Sequence, residues 1–415
     1  MRFPLPRNTF PVMKFSSDQT HEFADTRNRI LDSCMDSRQE FIERFGGKMD
    51  TDVWKVAKRK KRTSDFTVYR PRRFSNIARP SSSISCSPLM VGLGSIPGTL
   101  DEVMLGMTAS NTSAMRFRAA HVHNDMLDMR VLSTLEAPSQ VDPFEYMGVK
   151  WMVKGPSFAM KSFVRPRDFI YLESSGIRSD YRGQRVGHLL LHSVELSCCR
   201  SLQLEHGIVR GALSFCYLFA ESETMPGMVD VFVKGFVDPR GGVSERIAVS
   251  SAAGSIMACE RAQLCARMKK LSWKARNSSA EVRASESRGL HTGGCHSCDS
   301  ESTTVQCRIC RLETCSKCAT SAMLTIASVD TAMTQPIDVC CSCLESVEAL
   351  DSSIVAGDEA AQLMGLYRRF SAPPANDPAS GSCQDKIRLM PIVKKRRSAS
   401  VIASSAGSTT GYVVL

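Results

Sequence analysis

The sequence contains no apolar run that approaches the ~20 residues of a membrane-spanning helix. Its longest apolar run, Ala212 to Ala220, is interrupted by Ser214 and predicts a buried strand. Met1 to Phe15 alternates prolines, arginines and phenylalanines and lacks the apolar segment of a signal peptide. The 17 cysteines form no secreted disulfide pattern. These absences predict a cytoplasmic protein that is at most peripheral on membranes.

Motifs for catalysis are also missing. There is no phosphate-cradling glycine loop, nucleophile elbow or dinucleotide fingerprint. Gly92-x-Gly94 has no strand before it and predicts a loop. Asp168 and Glu173 are five residues apart on a predicted strand, so they face opposite sides of it and do not form an acid–base pair. The sequence therefore predicts a protein that is not an enzyme.

Cysteine, by contrast, is concentrated in one segment as four Cys-x-x-Cys pairs. The pairs are Cys295 and Cys298, Cys307 and Cys310, Cys315 and Cys318, and Cys340 and Cys343. Zinc prefers four thiolates in a tetrahedron at about 2.3 Å, and a Cys-x-x-Cys turn directs two sulfurs at one point. Because two pairs complete one site, the sequence predicts two zinc ions bound by these eight cysteines.

The cysteine-rich segment has too few large apolar side chains to hold about 50 residues together by burial alone. These side chains are chiefly Val305, Ile309, Leu312, Met323, Leu324 and Ile326. Bound metal would supply the missing stability, at about 10–16 kcal/mol for each structural zinc. A disulfide framework is the alternative, and the absence of a secretory context argues against it.

The spacing of the pairs selects among zinc folds. The gaps between successive pairs are residues 299–306, 311–314 and 319–339, and the short middle gap favours an interleaved arrangement. In that arrangement the first and third pairs share one metal, and the second and fourth pairs share the other. A RING-type ubiquitin ligase module is also cross-braced, but its middle gap is shorter and it normally includes a histidine ligand. His291 and His296 lie outside the cysteine pattern.

The segment resembles the FYVE-type zinc finger family, whose four pairs run in this order with the same four-residue gap in the middle. The resemblance implies two ligand sets, Cys295, Cys298, Cys315 and Cys318 on one zinc, and Cys307, Cys310, Cys340 and Cys343 on the other. It also implies binding of phosphatidylinositol 3-phosphate through a basic motif around the third cysteine. In the aligned residues, 303–308, the basic residue that remains is Arg308, so it is the predicted headgroup contact.

The formal charge of +11 is concentrated in short basic runs. They are Lys58 to Arg62, the group Arg70, Arg72 and Arg73, and Lys394 to Arg397. Such runs attract phosphate on nucleic acid or on an anionic lipid surface, and a run of five is also typical of a nuclear import signal. The first run lies between two alternating stretches, 54–56 and 66–68, that predict a hairpin, so a solvated turn is the alternative. No nucleic-acid partner is predicted.

The rest of the chain predicts an α+β domain. Helical spacing predicts a first helix from Asp18 to Phe45, and Thr99 with Glu102 forms a capping box for a second helix. From Pro143 the sequence turns to short stretches rich in Val, Ile, Phe and Tyr, which predict an antiparallel sheet. A long helix over 244–271 follows the last predicted strand.

One stretch of the predicted sheet, 166–172 with the sequence Pro-Arg-Asp-Phe-Ile-Tyr-Leu, is followed by a glycine turn at Gly176 and is similar to a strand of the START family. This resemblance covers about residues 1–272. It implies a helix-grip fold, in which a curved sheet wraps the final helix and leaves a hydrophobic tunnel for a lipid. START-like domains joined to a C-terminal FYVE-type finger are a known pairing, so the two resemblances support each other.

We therefore predict five segments. They are a START-like helix-grip domain (1–272), a linker (273–290), a FYVE-like zinc finger (291–346), a helical extension (347–370) and a disordered, basic, serine-rich tail (371–415).

The leading functional hypothesis is an intracellular, zinc-binding, lipid-associated adaptor that is cytoplasmic or peripheral on endosomal membranes. Its expected partners are a phosphoinositide or another lipid, together with other proteins. The main alternative is a zinc-finger scaffold for protein interactions that acts in the nucleus without binding lipid. A RING-like ubiquitin ligase is the third hypothesis.

Overall fold

The structure is a computed structural model that describes residues 3–11, 13–60, 65–72, 89–122, 125–156, 163–285, 294–301, 304–370 and 387–390. Its helices are α1 (Ser17–Phe45), α2 (Leu100–Met107), α3 (Thr112–Val122), α4 (Gln203–His206), α5 (Glu245–Met257), α6 (Ala262–Ser285), α7 (Cys341–Glu348) and α8 (Ser352–Phe370). Its strands are β1 (Trp54–Lys60), β2 (Phe66–Pro71), β3 (Met90–Pro97), β4 (Met126–Glu136), β5 (Tyr146–Lys154), β6 (Arg167–Ser179), β7 (Arg185–Glu195), β8 (Val209–Arg210), β9 (Ala212–Glu221), β10 (Met228–Asp238), β11 (Thr304–Gln306), β12 (Glu313–Cys315), β13 (Ala319–Ala327), β14 (Ala332–Cys340) and β15 (Arg388–Leu389).

A large sheet forms the centre of the molecule. Its strands lie in the order β1-β2-β3-β10-β9-β7-β6-β5-β4, and β8 and β15 pair with β6 and β7 off this path. Each pair of neighbours along the path is antiparallel. The predicted α+β class, with an antiparallel sheet, is therefore confirmed.

Side chains that alternate along the strands pack against helices on both faces of the sheet. On β9, Phe215, Tyr217 and Phe219 belong to an inner core that also contains residues of α2, α5, α6 and α8. Between them, Cys216 and Leu218 belong to an outer core with residues of α1. The final helices thus lie against one face of the sheet, as in a helix grip, and α1 covers the other face.

Local sequence signals set the ends of the first two helices. The Ser16 side chain accepts from the Gln19 amide in a capping box, and Thr99 and Glu102 form the predicted box at the start of α2. Gly46 ends α1 in the left-handed conformation, with a φ of 57°, which costs glycine little. The helix predicted from Asp18 begins one residue earlier in the structure.

Glycines allow α2 to pack closely on both sides. A Cβ atom at Gly106 would lie 1.9 Å from the Ala262 carbonyl oxygen of α6. A Cβ atom at Gly187 of β7 would lie 2.5 Å from the Met104 sulfur of α2. Because neither position tolerates a side chain, α2 is held between the sheet and α6 at close range.

The loop predicted at Gly92-x-Gly94 is wrong, because these residues lie within β3, which pairs with β2 and β10. A Cβ atom at Gly94, where φ is 148°, would lie 2.2 Å from the Asp65 carbonyl oxygen. The glycine therefore serves the close approach of the neighbouring chain rather than a turn. β4 carries no strong strand signal in the sequence and was not predicted.

The final helix is longer than its apolar pattern predicts. A 3₁₀ turn (Ala258–Arg261) follows α5, and α6 then runs on to Ser285, so the predicted end at Leu271 is wrong. Much of the predicted linker, 273–290, is thus helical. Leu271 packs in an apolar cluster with Ile309 and Val339 of the finger. Because the finger packs on α6 at Leu271, the chain continues as a helix into the segment that was predicted to be an exposed linker.

The tail predicted as disordered contains a short strand. β15 pairs antiparallel with the end of β7, with Arg388 opposite Glu195 and Leu389 opposite Val194. Met390, next to this strand, is only 5% exposed. An alternating apolar stretch can add to the edge of a sheet in this way. The prediction of disorder is therefore wrong for residues 387–390, and the rest of 371–415 lies outside the described residues.

The predicted hairpin is confirmed, because β1 and β2 pair antiparallel along their length. Three residues of the basic runs form ion pairs, Lys60 with Glu260 at 2.9 Å, Arg70 with Glu245 at 2.8 Å and Arg59 with Asp65 at 4.0 Å. Residues 61–62, 73 and 394–397 lie outside the described residues. No helix in the described part of the chain combines the length and the apolar character that a membrane span requires.

Candidate functional site

The first cysteine group forms where two tight turns face each other. The Asp299 amide donates to the Cys295 carbonyl at 2.7 Å, and the Cys318 amide donates to the Cys315 carbonyl at 3.0 Å. The short strands β11 and β12 pair between these turns. The sulfurs of Cys295, Cys298, Cys315 and Cys318 all lie within 4.8 Å of one another. Those of Cys298 and Cys315 are 3.6 Å apart.

The second group joins a turn to the start of a helix. The Arg311 amide closes the first turn by donating to the Cys307 carbonyl at 2.9 Å. Cys340 and Cys343 lie at the beginning of α7, directly after β14. The four sulfurs of Cys307, Cys310, Cys340 and Cys343 lie within 4.8 Å of one another. The Cys310 and Cys340 sulfurs are 3.8 Å apart.

The structure therefore groups the first pair with the third and the second pair with the fourth, as the spacing predicts. In a tetrahedral site with zinc–sulfur bonds of about 2.3 Å, neighbouring sulfurs lie about 3.8 Å apart. The observed separations of 3.6 and 3.8 Å fit this geometry. Among the described residues, each group consists of cysteines alone, which is a donor set suited to a structural metal ion.

Hydrogen bonds within the groups lower the pKa of some cysteines and raise the pKa of others. A hydrogen bond from the Cys315 backbone lowers the pKa of Cys295 to about 5. Hydrogen bonding from Cys310 lowers the pKa of Cys307 below its usual range, and the same contact raises the pKa of Cys310 to about 11. Each group therefore contains a cysteine whose thiolate, the form that binds metal, is stabilised by a hydrogen bond.

The cysteine-rich module, which we call the finger (residues 294–348), is docked on the large domain. Ser272 of α6 donates its hydroxyl to the Thr325 carbonyl at 3.0 Å. The His121 ring of α3 lies 2.8 Å from the Thr325 hydroxyl, and Arg116 donates to the Val329 carbonyl at 2.6 Å. The hairpin of β13 and β14 is thus fixed to two helices of the large domain.

Arg308, the predicted headgroup contact, lies directly after Cys307 and is exposed. Its backbone amide donates to the Asp338 carbonyl at 2.8 Å, which fixes the turn on β14. In the described part of the chain its side chain has no ion-pair partner. The position is therefore accessible to a ligand, and the role of Arg308 stays a prediction.

A cluster of buried charges lies in the inner core, where sequence reasoning placed none. Lys150 and Glu173 are both 0% exposed, and their charged atoms are 2.6 Å apart. Arg118 of α3 contacts the same carboxylate at 3.1 Å. Burial alone would raise the pKa of Glu173, but the charges of Arg118 and Lys150 outweigh it and lower the pKa. Burial lowers the pKa of Lys150 to about 8.

The buried cations also cap the C-terminal end of α2. Arg118 donates to the Met107 carbonyl, Lys150 donates to the Ala109 carbonyl at 2.5 Å, and Lys269 of α6 donates to the Thr108 carbonyl at 3.3 Å. Cations are favourable at this end of a helix because its last carbonyl groups carry partial negative charge. The one available signal in the sequence was Lys150 itself, a charged residue within an apolar strand.

The predicted separation of Asp168 and Glu173 on opposite faces of β6 is confirmed. Asp168 accepts from the Trp151 ring at 3.0 Å and pairs with Arg210 at 2.8 Å, away from the Lys150 cluster. Asp168 does not pair with its neighbour Arg167, whose side chain instead donates to the Pro239 and Arg240 carbonyls. Adjacent residues of a strand point to opposite faces, so the two side chains diverge.

Two cavities bear on the predicted lipid tunnel. An open pocket of about 530 Å³ lies at the start of α5 and is lined by Val164, Arg165, Arg167, Val209 and Ile247, among others. A cavity of about 10 Å³ lies between α6 and α8. Buried aromatic and aliphatic side chains form the inner core under the sheet. The open pocket is therefore the candidate ligand site.

Comparisons with known proteins return structural likenesses. No family description and no curated protein matches the chain. Human StAR-related lipid transfer protein 5 is similar with a TM-score of 0.40 and 16% identity, covering 59% of this chain and 97% of that one. Human STARD10 is similar with a TM-score of 0.35 and 12% identity, covering 55% and 79%. The lipid transfer and protein localization domain of human StarD13 is similar with a TM-score of 0.33 and 15% identity, covering 54% and 92%.

The two sulfur groups predict a metal content that elemental analysis can measure. Full-length protein should contain two zinc ions per chain, and Cys315→Ser should reduce this to about one, because it removes a ligand from the first group alone. Cys341→Ser is the matched control, since this thiol neighbours a ligand but belongs to neither group. Fewer than two zinc ions in the unaltered protein would contradict the assignment.

Removing the buried carboxylate should destabilise the fold strongly. Glu173→Gln leaves Lys150 and Arg118 without a counter-charge, so the free energy of unfolding should fall by about 3–5 kcal/mol. Glu223→Gln breaks an exposed pair with Arg182 and should cost less than about 1 kcal/mol. Chemical denaturation of both variants measures the free energy of unfolding. Equal losses in the two variants would contradict a larger contribution of the buried cluster to stability.

Proposed function

We propose that this chain is a non-enzymatic, intracellular adaptor that binds two zinc ions and associates with anionic lipid. The observation that supports it most directly is the combination of two four-cysteine groups with an arginine-lined pocket in the domain on which the finger is docked. In this proposal the large domain is START-like and binds a lipid, and the finger is of the FYVE type.

The cysteines would hold zinc as a structural cross-link. Cys295, Cys298, Cys315 and Cys318 would bind one ion, and Cys307, Cys310, Cys340 and Cys343 the other. Zinc with four thiolates keeps no open coordination position, so it stabilises the fold and offers no site for catalysis. The finger in turn presents Arg308 to solvent, which supports a contact with phosphatidylinositol 3-phosphate.

The open pocket supports binding of an anionic lipid headgroup. Arg165 is exposed at its rim, and Arg167 lies in its wall with its side chain fixed by the Pro239 and Arg240 carbonyls at 3.3 and 3.4 Å. Ser244 precedes α5 without a side-chain capping bond, and the Ile247 amide donates to the Ser244 carbonyl at 3.0 Å, so the amides before Ile247 are the ones that would meet a phosphate. Guanidinium groups and helix N-termini both favour phosphate.

Exposed apolar side chains at the same rim support contact with a membrane. Phe163 is 85% exposed beside Arg165, and Leu204 of α4 is 98% exposed next to Gln203, which also lines the pocket. Aromatic and aliphatic residues flanked by cations are typical of surfaces that meet an anionic bilayer. The proposed location is therefore cytoplasmic, with peripheral association at endosomal membranes.

A scaffold for protein interactions, acting without lipid and in the nucleus, is the second candidate. The inner core favours it, because its buried aromatic and aliphatic side chains lie under the sheet, where the lipid tunnel was expected. In that case the finger and the sheet domain would act as one rigid unit, and the basic runs would serve nuclear import.

Flotation of the zinc-loaded full-length protein separates these functions. Phosphatidylcholine vesicles that contain phosphatidylinositol 3-phosphate should carry the protein, and vesicles of phosphatidylcholine alone should not. Arg165→Glu should weaken binding by at least about tenfold, since each basic residue near an anionic surface contributes about 1 kcal/mol. Arg308→Glu tests the finger separately.

Arg276→Glu, an equal charge reversal at an exposed position of α6, is the matched control and should leave flotation unchanged. Loss of binding in the Arg308 variant alone would assign the headgroup to the finger rather than to the pocket. If the unaltered protein ignores the anionic vesicles, the scaffold function replaces the lipid function.

A further inference from the structure

The end of β7 forms a short open edge that the tail fills. β7 pairs with β9 as far as His192 and with β6 as far as Ser193. Its last two residues, Val194 and Glu195, pair only with β15 among the described residues. We call this edge, with His192, the β7 slot. Its occupant comes from a part of the chain nearly 200 residues away, as the separation of 198 positions between His192 and Met390 shows.

Contacts in the β7 slot alternate as they do when a peptide adds to a sheet. Ile387 and Leu389 pack on an apolar cluster of the outer face that includes Val194 and Leu196. Arg388, between them, is exposed. Main-chain pairing together with alternate apolar side chains is the physical basis of peptide recognition by strand addition.

One polar contact fixes the register of the segment. His192 Nε2 donates to the Met390 carbonyl at 3.2 Å, while His192 Nδ1 accepts from the Ser214 hydroxyl at 2.9 Å. The contact with the Met390 carbonyl requires a proton on Nε2, and in the neutral ring Nδ1 is then the acceptor that faces the Ser214 hydroxyl. Burial lowers the pKa of His192 to about 4, so the ring keeps this form at neutral pH.

We infer that the β7 slot is a peptide-binding site, and that this chain occupies it reversibly with its own residues Ile387–Met390. Two registered residue pairs and one buried side chain make a small contact. Such a contact forms mainly because the covalent connection through residues 371–386, which we call the tether, raises the local concentration of the segment. The same sequence supplied by a second chain, or as a free peptide, therefore takes its place once the tether is cut.

A cleavable tether tests the inference without altering any residue of the slot. A protease site inserted after Asp377 in the full chain allows the tail to be cut from the folded protein. A fluorescent peptide of residues 384–393 should then bind the cleaved protein at least about tenfold more tightly than the uncut protein, as measured by anisotropy. Equal affinities, or no binding after cleavage, would overturn the inference.

Peptide variants and hydrogen exchange provide the controls. The peptide with Leu389→Asp and Met390→Asp should not bind, because it places one charge against the apolar cluster and buries another at position 390. In the uncut chain, Met390→Asp should accelerate amide exchange at Val194 and Glu195, and added wild-type peptide should restore protection. Met390→Leu should leave exchange unchanged, and acceleration by that variant, or protection that the peptide does not restore, would count against a reversible site.

Discussion

Convergence of sulfur atoms at two points is the constraint on which the C-terminal part of this structure depends. The apolar cluster of the finger is small, with Ile309, Val339 and Val347 as its main buried aliphatic residues beside the cysteines. The proposed zinc ions would contribute about 10–16 kcal/mol each, which is far more than this cluster can supply. The hairpin of β13 and β14 can then present Thr325 to α3 and α6. Beyond the finger, α8 returns to the large domain and adds Val355 and Ala356 to the inner core.

A second set of interactions ties the same helices together from inside. Lys269 donates to the C-terminal end of α2 and also pairs with Glu359 of α8 at 3.0 Å, while Trp273 donates to Asp358 at 2.8 Å. Lys150 and Arg118 would be costly to bury, but Glu173 and the helix carbonyls offset that cost. The large domain, the finger and α8 therefore form one connected unit.

What could be predicted from the sequence was local. Thr99 with Glu102 predicted the start of α2 because the two residues lie within one turn of the helix. The four Cys-x-x-Cys pairs predicted both sulfur groups because each pair is a local motif, although the groups join pairs that are distant in the chain, such as Cys310 and Cys340 at 30 positions. The antiparallel sheet followed from short β-rich stretches. The zinc ions, the FYVE type of the finger, the role of Arg308 and the domain boundaries stay predictions.

What was missed depends on contacts between distant residues. The spacing Gly92-x-Gly94 is typical of a turn in the sequence. The structure shows instead that the Asp65 backbone lies against Gly94 of β3. The length of α6 depends on the finger that covers Leu271, and β15 depends on the open end of β7. The buried cluster joins Arg118, Lys150 and Glu173 from one helix and two strands, so no short sequence motif marks it.

Hydrogen exchange on the full chain, before and after removal of metal by a chelator, tests the central claim most directly. If metal-bound sulfur holds the finger, and the finger holds the helices around it, chelation will accelerate exchange in the finger, in α8 and in α6 beyond Leu271, while the central strands β7 and β9 remain protected. Acceleration confined to residues 294–343, with α6 and α8 unchanged, would contradict the account.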